Sequence, residues 1–339
     1  MQKKSLSLLV LAFLLLAPFA GVYPLFVLKV VCFALFACAF NLLIGYGGLL
    51  SFGHAAMFGG AGYIAAHALK HWNITPELGL VVGTLAGALL GGAMGILAIR
   101  RQGIYFSMIT LALAQMIYFV MLQAPFTGGE DGLQGVPRGK LFGILPLDND
   151  LVLYYVVLTI AIAALLLLWR VVSSPFGAVL HAIKENESRA VSLGYNVERL
   201  KLVAFVISAA IAGLAGSLKV LVLGFETLSD VHWSMSGTVI LMTLVGGLGT
   251  RWGPILGALI IVALETKLGD IGHALASLTG IDAFLKLGES VTVVTGILFI
   301  ATVLFFRNGI AGGIASLWRL IRRPQPGRRL PSTEREPAL

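Results

Sequence analysis

The stretch LGLVVGTLAGALLGGAMGILAI, residues 78–99, decides the class of this protein. It contains no charged residue, and an α-helix of that length, rising about 1.5 Å per residue, crosses the roughly 30 Å hydrocarbon core of a bilayer. Residues 151–169, 202–218 and 290–306 provide further runs of this kind. The chain of 339 residues is 58% apolar and only 12% charged, with 41 glycines and a mean hydropathy of +0.93. These values lie outside the globular range and within that of polytopic membrane proteins. The gaps between the apolar runs leave no room for a soluble domain of ordinary size.

The reading is an all-α polytopic membrane protein of about ten transmembrane helices, roughly 6–22, 26–44, 54–69, 79–99, 104–122, 151–169, 202–223, 235–248, 254–265 and 289–306. The first run imitates a secretory signal. It is long, lacks an A-x-A site and leads directly into another apolar segment, so it is read as a retained span. With a cytoplasmic N-terminus, 17 of the 24 Lys and Arg residues fall in inner segments and five in outer loops, which satisfies the positive-inside rule with both termini cytoplasmic. The net charge of +8 is therefore a topology signal and not a nucleic-acid footprint. The chain divides into a transmembrane domain, 1–310, and a basic cytoplasmic tail, 311–339, expected to be partly disordered and anchored by membrane lipid at about 1 kcal/mol per basic residue.

The most polar long stretch before that tail is FGAVLHAIKENESRAVSLGYNVERLKL, residues 176–202, within a cytoplasmic loop spanning about 170–201. Ser174 suits an N-cap, Pro175 the first helical position and Gly194 a left-handed C-terminal cap. Phe176, Val179, Leu180, Ile183, Ala190 and Val191 recur at three- and four-residue steps, while Lys184, Glu185 and Arg189 project elsewhere. This predicts one short amphipathic helix. It either lies on the bilayer or docks into the groove of a partner protein, and Glu185, Glu187 and Glu198 favour the partner, because acids are disfavoured beside anionic headgroups.

Four ordered motifs carry a resemblance: GYGGLLSFGHAAMFGGAGY (45–63), TGGEDGLQGVP (127–137), the loop just quoted, and GGLGTRWGPILGA (246–258). Together they resemble the LivM-type permease subunit of branched-chain amino acid ABC importers, over roughly residues 25–310. The resemblance implies that the loop is a coupling segment docking an ATPase, with Phe176, Ile183, Glu185, Asn186, Glu187, Arg189, Ala190 and Gly194 as its coupling residues. The wider coupling pattern places an acidic residue directly ahead of two alanines and glycine after three more residues; here Arg189, Ala190 and Gly194 fit, but Glu187 stands one place early. The resemblance also implies a LivH-like second permease, two cytoplasmic ABC ATPase subunits that hold ATP and Mg, a periplasmic amino-acid-binding protein, and a bacterial inner-membrane location. The chain itself is expected to bind no cofactor and to be no enzyme.

The 45–63 motif breaks the apolar pattern with glycine, and non-helical backbone at membrane depth survives only where protein buries it or water lines it. Asn41, Ser51 and His54 are candidate pathway-lining residues, with close helix packing as the competing reading. Thr127, Gly128 and Gly129 join them from an outer loop that is either a linker or a surface for an external partner. Gly83, Gly87, Gly91 and Gly95 repeat every four residues, a packing seam for a neighbouring helix. His67 and His71 have a metal-gripping spacing without a third ligand, so no metal is expected. Cys32 and Cys38 are read as small buried hydrophobes.

Outer acids, among them Glu77, Glu130, Asp131, Asp148, Asp150, Glu226 and Asp230, are expected to face solvent or a binding protein. Lys29 and Lys219 are expected to snorkel to an interface. No G-x-x-x-x-G-K-[ST] occurs, and Glu265 is the one acid expected near membrane depth, so energy is expected from another polypeptide. Substrate choice is open between branched-chain amino acids and urea or short amides. An ATP-independent secondary carrier would need internal ion-coupling groups.

Overall fold

A computed structural model describes residues 14–19, 21, 23–279, 291–305 and 309–313. It consists of helices joined by tight turns: α1 Pro24–Asn41, α2 His54–His71, α3 Pro76–Ala98, α4 Ile104–Gln123, α5 Asp150–Val172, α6 Pro175–Glu185, α7 Glu187–Ser192, α8 Val197–Leu223, α9 Leu228–Val231, α10 Trp233–Gly246, α11 Gly253–Thr279 and α12 Val291–Phe305. Four two-residue strands complete it: β1 Leu133–Gln134, β2 Lys140–Leu141, β3 Leu145–Pro146 and β4 Phe225–Glu226. β1 pairs antiparallel with β4, and β2 with β3.

Among the described residues, five helical segments have the length and hydropathy to cross a membrane: 24–46, 76–98, 104–123, 150–172 and 197–223. The chain is an all-α polytopic membrane protein. Most of the expected span 6–22 and of the tail 311–339 lies outside the described residues. The expected span 254–265 is too short: α11 continues to Thr279, so Glu265, Lys267 and Asp270 share one helix instead of opening an outer loop. A Lys267–Asp270 ion pair of 2.9 Å at i,i+3 supports that continuation.

α8 packs along α3, and the glycine seam is the reason. A Cβ at Gly87 would stand 2.7 Å from the Ala209 carbonyl oxygen and 2.8 Å from Gly213 Cα, and one at Gly95 would stand 2.8 Å from the Leu202 side chain. Lipid tails are as apolar as leucine, so close backbone approach, more than water exclusion, joins such helices. Leu85, Leu89 and Ile96 on α3 stay exposed on the surface away from that seam.

The bundle has two ends. Arg100, Arg170 and Arg199 mark a basic end, and residues 124–149 cover the opposite, loop end. α1 finishes near the basic end in a wider π turn, Leu42–Tyr46, after which residues 48–53 run back into the bundle without helical structure.

Hydroxyl side chains repair that break. Thr110 Oγ1 accepts the Phe52 N–H at 3.1 Å, Ser51 Oγ the Gly53 N–H at 3.1 Å and Ser236 Oγ the Ala55 N–H at 2.9 Å, while Ser107 Oγ donates to the Leu50 carbonyl at 2.7 Å. Apart from the exposed Gly48, the irregular segment is buried or half-buried in protein, and these bonds pair backbone groups that the break leaves open, which is the condition for its survival there.

Candidate functional site

At the basic end the polar loop crosses the irregular segment. The expected single helix is two: α6 stops at Glu185, Asn186 adopts an extended conformation (φ −156°, ψ 98°), and α7 begins at Glu187. The Asn186 side chain caps the new helix by accepting the Arg189 N–H at 3.0 Å, a local bond that competes with continuing α6. Ser174 occupies the N-cap position of α6, but its hydroxyl donates to the Val171 carbonyl at 2.6 Å instead of capping. Gly194 takes the left-handed conformation the sequence demanded, with φ +86°.

The break redistributes the apolar face. Leu180, Ile183 and Ala190 are buried, with Phe176 and Val179 partly so. Val191, expected on that face, turns outward and joins Leu193 and Tyr195 as exposed apolar side chains. Glu185 and Arg189 are exposed, and Glu185 faces His181 at 3.3 Å. Glu187 is held instead: its carboxylate lies 2.7 Å from Lys201 Nζ, a lysine whose side chain is only 5% exposed.

Lys184, which the helix pattern set aside as outward-facing, makes the link to the membrane core. Its Nζ donates to the Gly45 carbonyl inside the π turn at 2.7 Å. Gly47 and Gly48 make room for this approach, since a Cβ at Gly48 would stand 2.9 Å from the Lys184 stem and one at Gly47 3.6 Å from Leu180. A small open groove between the loop and this turn is lined by Gly48, Gln102, Gly103, Lys184, Glu187 and Lys201. The sequence signal that could have found Lys184 is the paired glycine at 47–48, although the left-handed φ of +70° at Gly48 also calls for glycine there.

The connection continues through Asn41, one turn before Gly45. Its Oδ1 accepts the Gly249 N–H at 2.9 Å and its Nδ2 donates to the Thr250 carbonyl at 3.0 Å, stitching α1 to the α10–α11 turn. From that turn Arg251 donates to Ser173 Oγ at 3.0 Å, just ahead of α6. The exposed loop, the π turn and the GGLGT turn thus form one bonded unit.

Of the expected pathway residues, Asn41, Ser51, His54 and Thr127 are buried, whereas Gly128 is exposed and Gly129 half-buried. His54 Nε2 stands 2.8 Å from Ser208 Oγ, and Ser208 gives its one proton to the Ala39 carbonyl at 2.6 Å, so the histidine must be the donor. Phe40 and Phe205 meet the same ring edge-on. Thr127 Oγ1 caps the end of α4 through the carbonyls of Met121 and Ala124, and Gly128 and Gly129 follow with φ of +78° and +62°. Asn41 and Ser51 are buried and bonded as described above. The structure therefore brings Asn41, Ser51 and His54 together around the helix break and places Thr127, Gly128 and Gly129 apart, toward the loop end.

Two expectations at the loop end are overturned. Lys219 does not snorkel, and Glu226 and Asp230 do not face solvent: the three side chains are 4%, 0% and 7% exposed and form ion pairs with one another. Lys219 sits four residues inside the end of α8, and β4 and α9 fold back against it, so burial and pairing replace an interfacial position. His67 and His71 stack on each other with ring centroids 4.5 Å apart.

Comparison with known families settles membership. The family model described as branched-chain amino acid transport system / permease component matches residues 24–303. The chain belongs to this permease family. Its relatives include the high-affinity branched-chain amino acid transport system permease protein LivM of Escherichia coli (strain K12), 28% identical over 69% of this chain and 60% of the relative. A probable branched-chain amino acid transport permease protein LivH of Methanocaldococcus jannaschii is 30% identical over 74% of this chain and 79% of its own length. The autoinducer 2 import system permease protein LsrC of Klebsiella pneumoniae subsp. pneumoniae is 28% identical over 55% and 53%. The match spans about three fifths of the E. coli LivM protein. The chain is a LivM-type, multi-pass member of this permease family.

Proposed function

We propose that this permease is the transmembrane subunit of an ATP-driven importer for leucine, isoleucine and valine. It forms the translocation pathway with a LivH-like second permease, and a periplasmic amino-acid-binding protein delivers the cargo. Two cytoplasmic ATPases, which hold ATP and Mg, dock the 170–201 loop through its exposed Glu185, Asn186, Arg189 and Gly194, while the buried Ile183 and Ala190, the half-buried Phe176 and the Lys201-paired Glu187 brace the loop from within. The chain lies in the bacterial inner membrane with ten spans, 1–310 forming the permease domain, and both termini in the cytoplasm. Asn41, Ser51 and His54, with Thr127, Gly128 and Gly129 further out, stand along the route.

The observation that carries this reading is the bond from Lys184 to the Gly45 carbonyl. An exposed segment with an apolar knob, Val191, Leu193 and Tyr195, is tied by that bond to the π turn where a spanning helix is broken. Movement of the loop displaces the π turn, and Asn41 carries the displacement to the α10–α11 turn. Coupling of this kind needs a two-state element that both sites bias, and on this proposal the broken helix is that element.

The test is uptake of labelled leucine and of urea into proteoliposomes containing the permease with its co-encoded subunits and binding protein. ATP-dependent leucine uptake is expected. Urea uptake in its place would keep the architecture and change the cargo, and uptake by this chain alone without ATP would overturn the reading. In the same vesicles Lys184→Met, which keeps the apolar stem, is expected to leave the complex assembled and to lower the cargo moved per ATP hydrolysed; an unchanged ratio would remove the link.

A further inference from the structure

Lys219 of α8, Glu226 of β4 and Asp230 of α9 form a buried ionic cluster against α2 that the transport reading does not use. One lysine faces two carboxyl groups, so full ionisation would leave an unbalanced negative charge away from water. The bonds divide the two acids unequally. Asp230 Oδ2 accepts from Lys219, from the Thr227 hydroxyl at 2.6 Å and from the Thr227 N–H at 3.3 Å. Glu226 Oε2 accepts one longer bond from Lys219, 3.2 Å, and Glu226 Oε1 has no partner although it is buried.

By bond inventory Asp230 is the ionised partner of Lys219, and Glu226 is the group left without donors. Its carboxyl lies directly on α2, where a Cβ at Gly62 would stand 2.8 Å from its carbon. Beside it is the Tyr63 hydroxyl, also buried without a partner and within electrostatic reach. The charged and titratable groups around the cluster are Lys219 from α8, Asp230 from α9, Tyr63 from α2 and Tyr118 from α4, with Cys32 of α1 beside Lys219.

We propose that Glu226 is a proton-binding site: it holds a proton in this conformation, leaving Lys219 and Asp230 as a balanced pair. The proton has a structural consequence. Glu226 is paired with Leu133 across the β1–β4 ladder, and Gln134 with Phe225, so the cluster clasps the 127–137 loop to the bundle. Burial, the largest cause, pushes the Glu226 carboxyl well above the usual carboxylate range; Lys219 opposes this and Asp230 reinforces it. An acid whose value is raised in the folded state stabilises the clasp fully below the ordinary carboxylate range, and that stabilisation is lost as pH rises through the raised value.

Infrared difference spectra of the assembled transporter, wild type and Glu226→Gln, test the site. A protonated-carboxyl C=O band at neutral pH that shifts on 13C-glutamate labelling and is lost in Glu226→Gln is expected. A spectrum with Glu226 ionised at neutral pH, whether a water or a cation fills the gap at Oε1, overturns the proposal. Hydrogen exchange of residues 131–137, taken as the ratio of wild type to Glu226→Gln at each pH so that intrinsic rates cancel, is expected to rise with pH; a flat ratio removes the clasp.

Discussion

Glu187→Gln is the sharpest test of how the coupling loop is held. The lost partner is Lys201, 2.7 Å away, with side-chain exposures of 5% for the lysine and 30% for the glutamate. At an effective dielectric constant of about 20, charges at that separation attract by about 6 kcal/mol, much of which desolvation of the lysine offsets. Removing one member of a fully buried pair costs about 3–5 kcal/mol, because an uncompensated charge stays behind. Glu187 is partly open to water, which reaches the vacated lysine, so the expected loss is about 2–3 kcal/mol.

The assay is equilibrium unfolding from mild-detergent micelles by added SDS, read by tryptophan fluorescence, where the packed Trp169–Trp252 pair reports on this end of the bundle. Glu187→Gln combined with Lys201→Met is expected to recover most of the loss, giving an interaction energy above about 1 kcal/mol in the cycle. Glu185→Gln, at an exposed site paired only with His181, is expected to stay within about 0.5 kcal/mol of wild type. If Glu187→Gln is as stable as wild type, the carboxylate is not bracing the loop, and its assignment reverts to direct contact with a partner.

Two further outcomes follow from packing and hydrogen bonding. Gly87→Ala places a methyl group against backbone atoms that cannot yield and is expected to cost about 1–3 kcal/mol in the same unfolding assay, while Gly92→Ala, whose added carbon would meet only Val206 at 3.9 Å, is expected to cost little. Asn41→Leu removes both bonds to the α10–α11 turn and is expected to cost about 1–3 kcal/mol and to raise hydrogen exchange at Gly249, which loses its acceptor.

The sequence alone determined what depends on neighbours along the chain. Hydropathy identified the membrane class, and four-residue glycine spacing identified the α3 seam, although not that α8 fills it. The glycine-rich stretch before His54 announced a break, and Gly194 announced the end of the polar segment. The four ordered motifs were sufficient for the family.

Tertiary structure decided the long-range polar partners. Lys184 finds Gly45 across 139 residues and Asn41 finds Thr250 across 209, separations over which no periodicity carries information. The same holds for Lys219: an isolated lysine near the end of an apolar helix reads as an interfacial anchor until β4 and α9 fold back over it. Asn186 was legible as a residue type but not as a break, because its capping bond is a local alternative to helix continuation, and the break accompanies the packing of Ile183 and Ala190 against Val197, a contact between separate elements. A side chain's periodicity is set by its own helix, but whether its charge is buried, paired or free is set by the register of the helices that close around it.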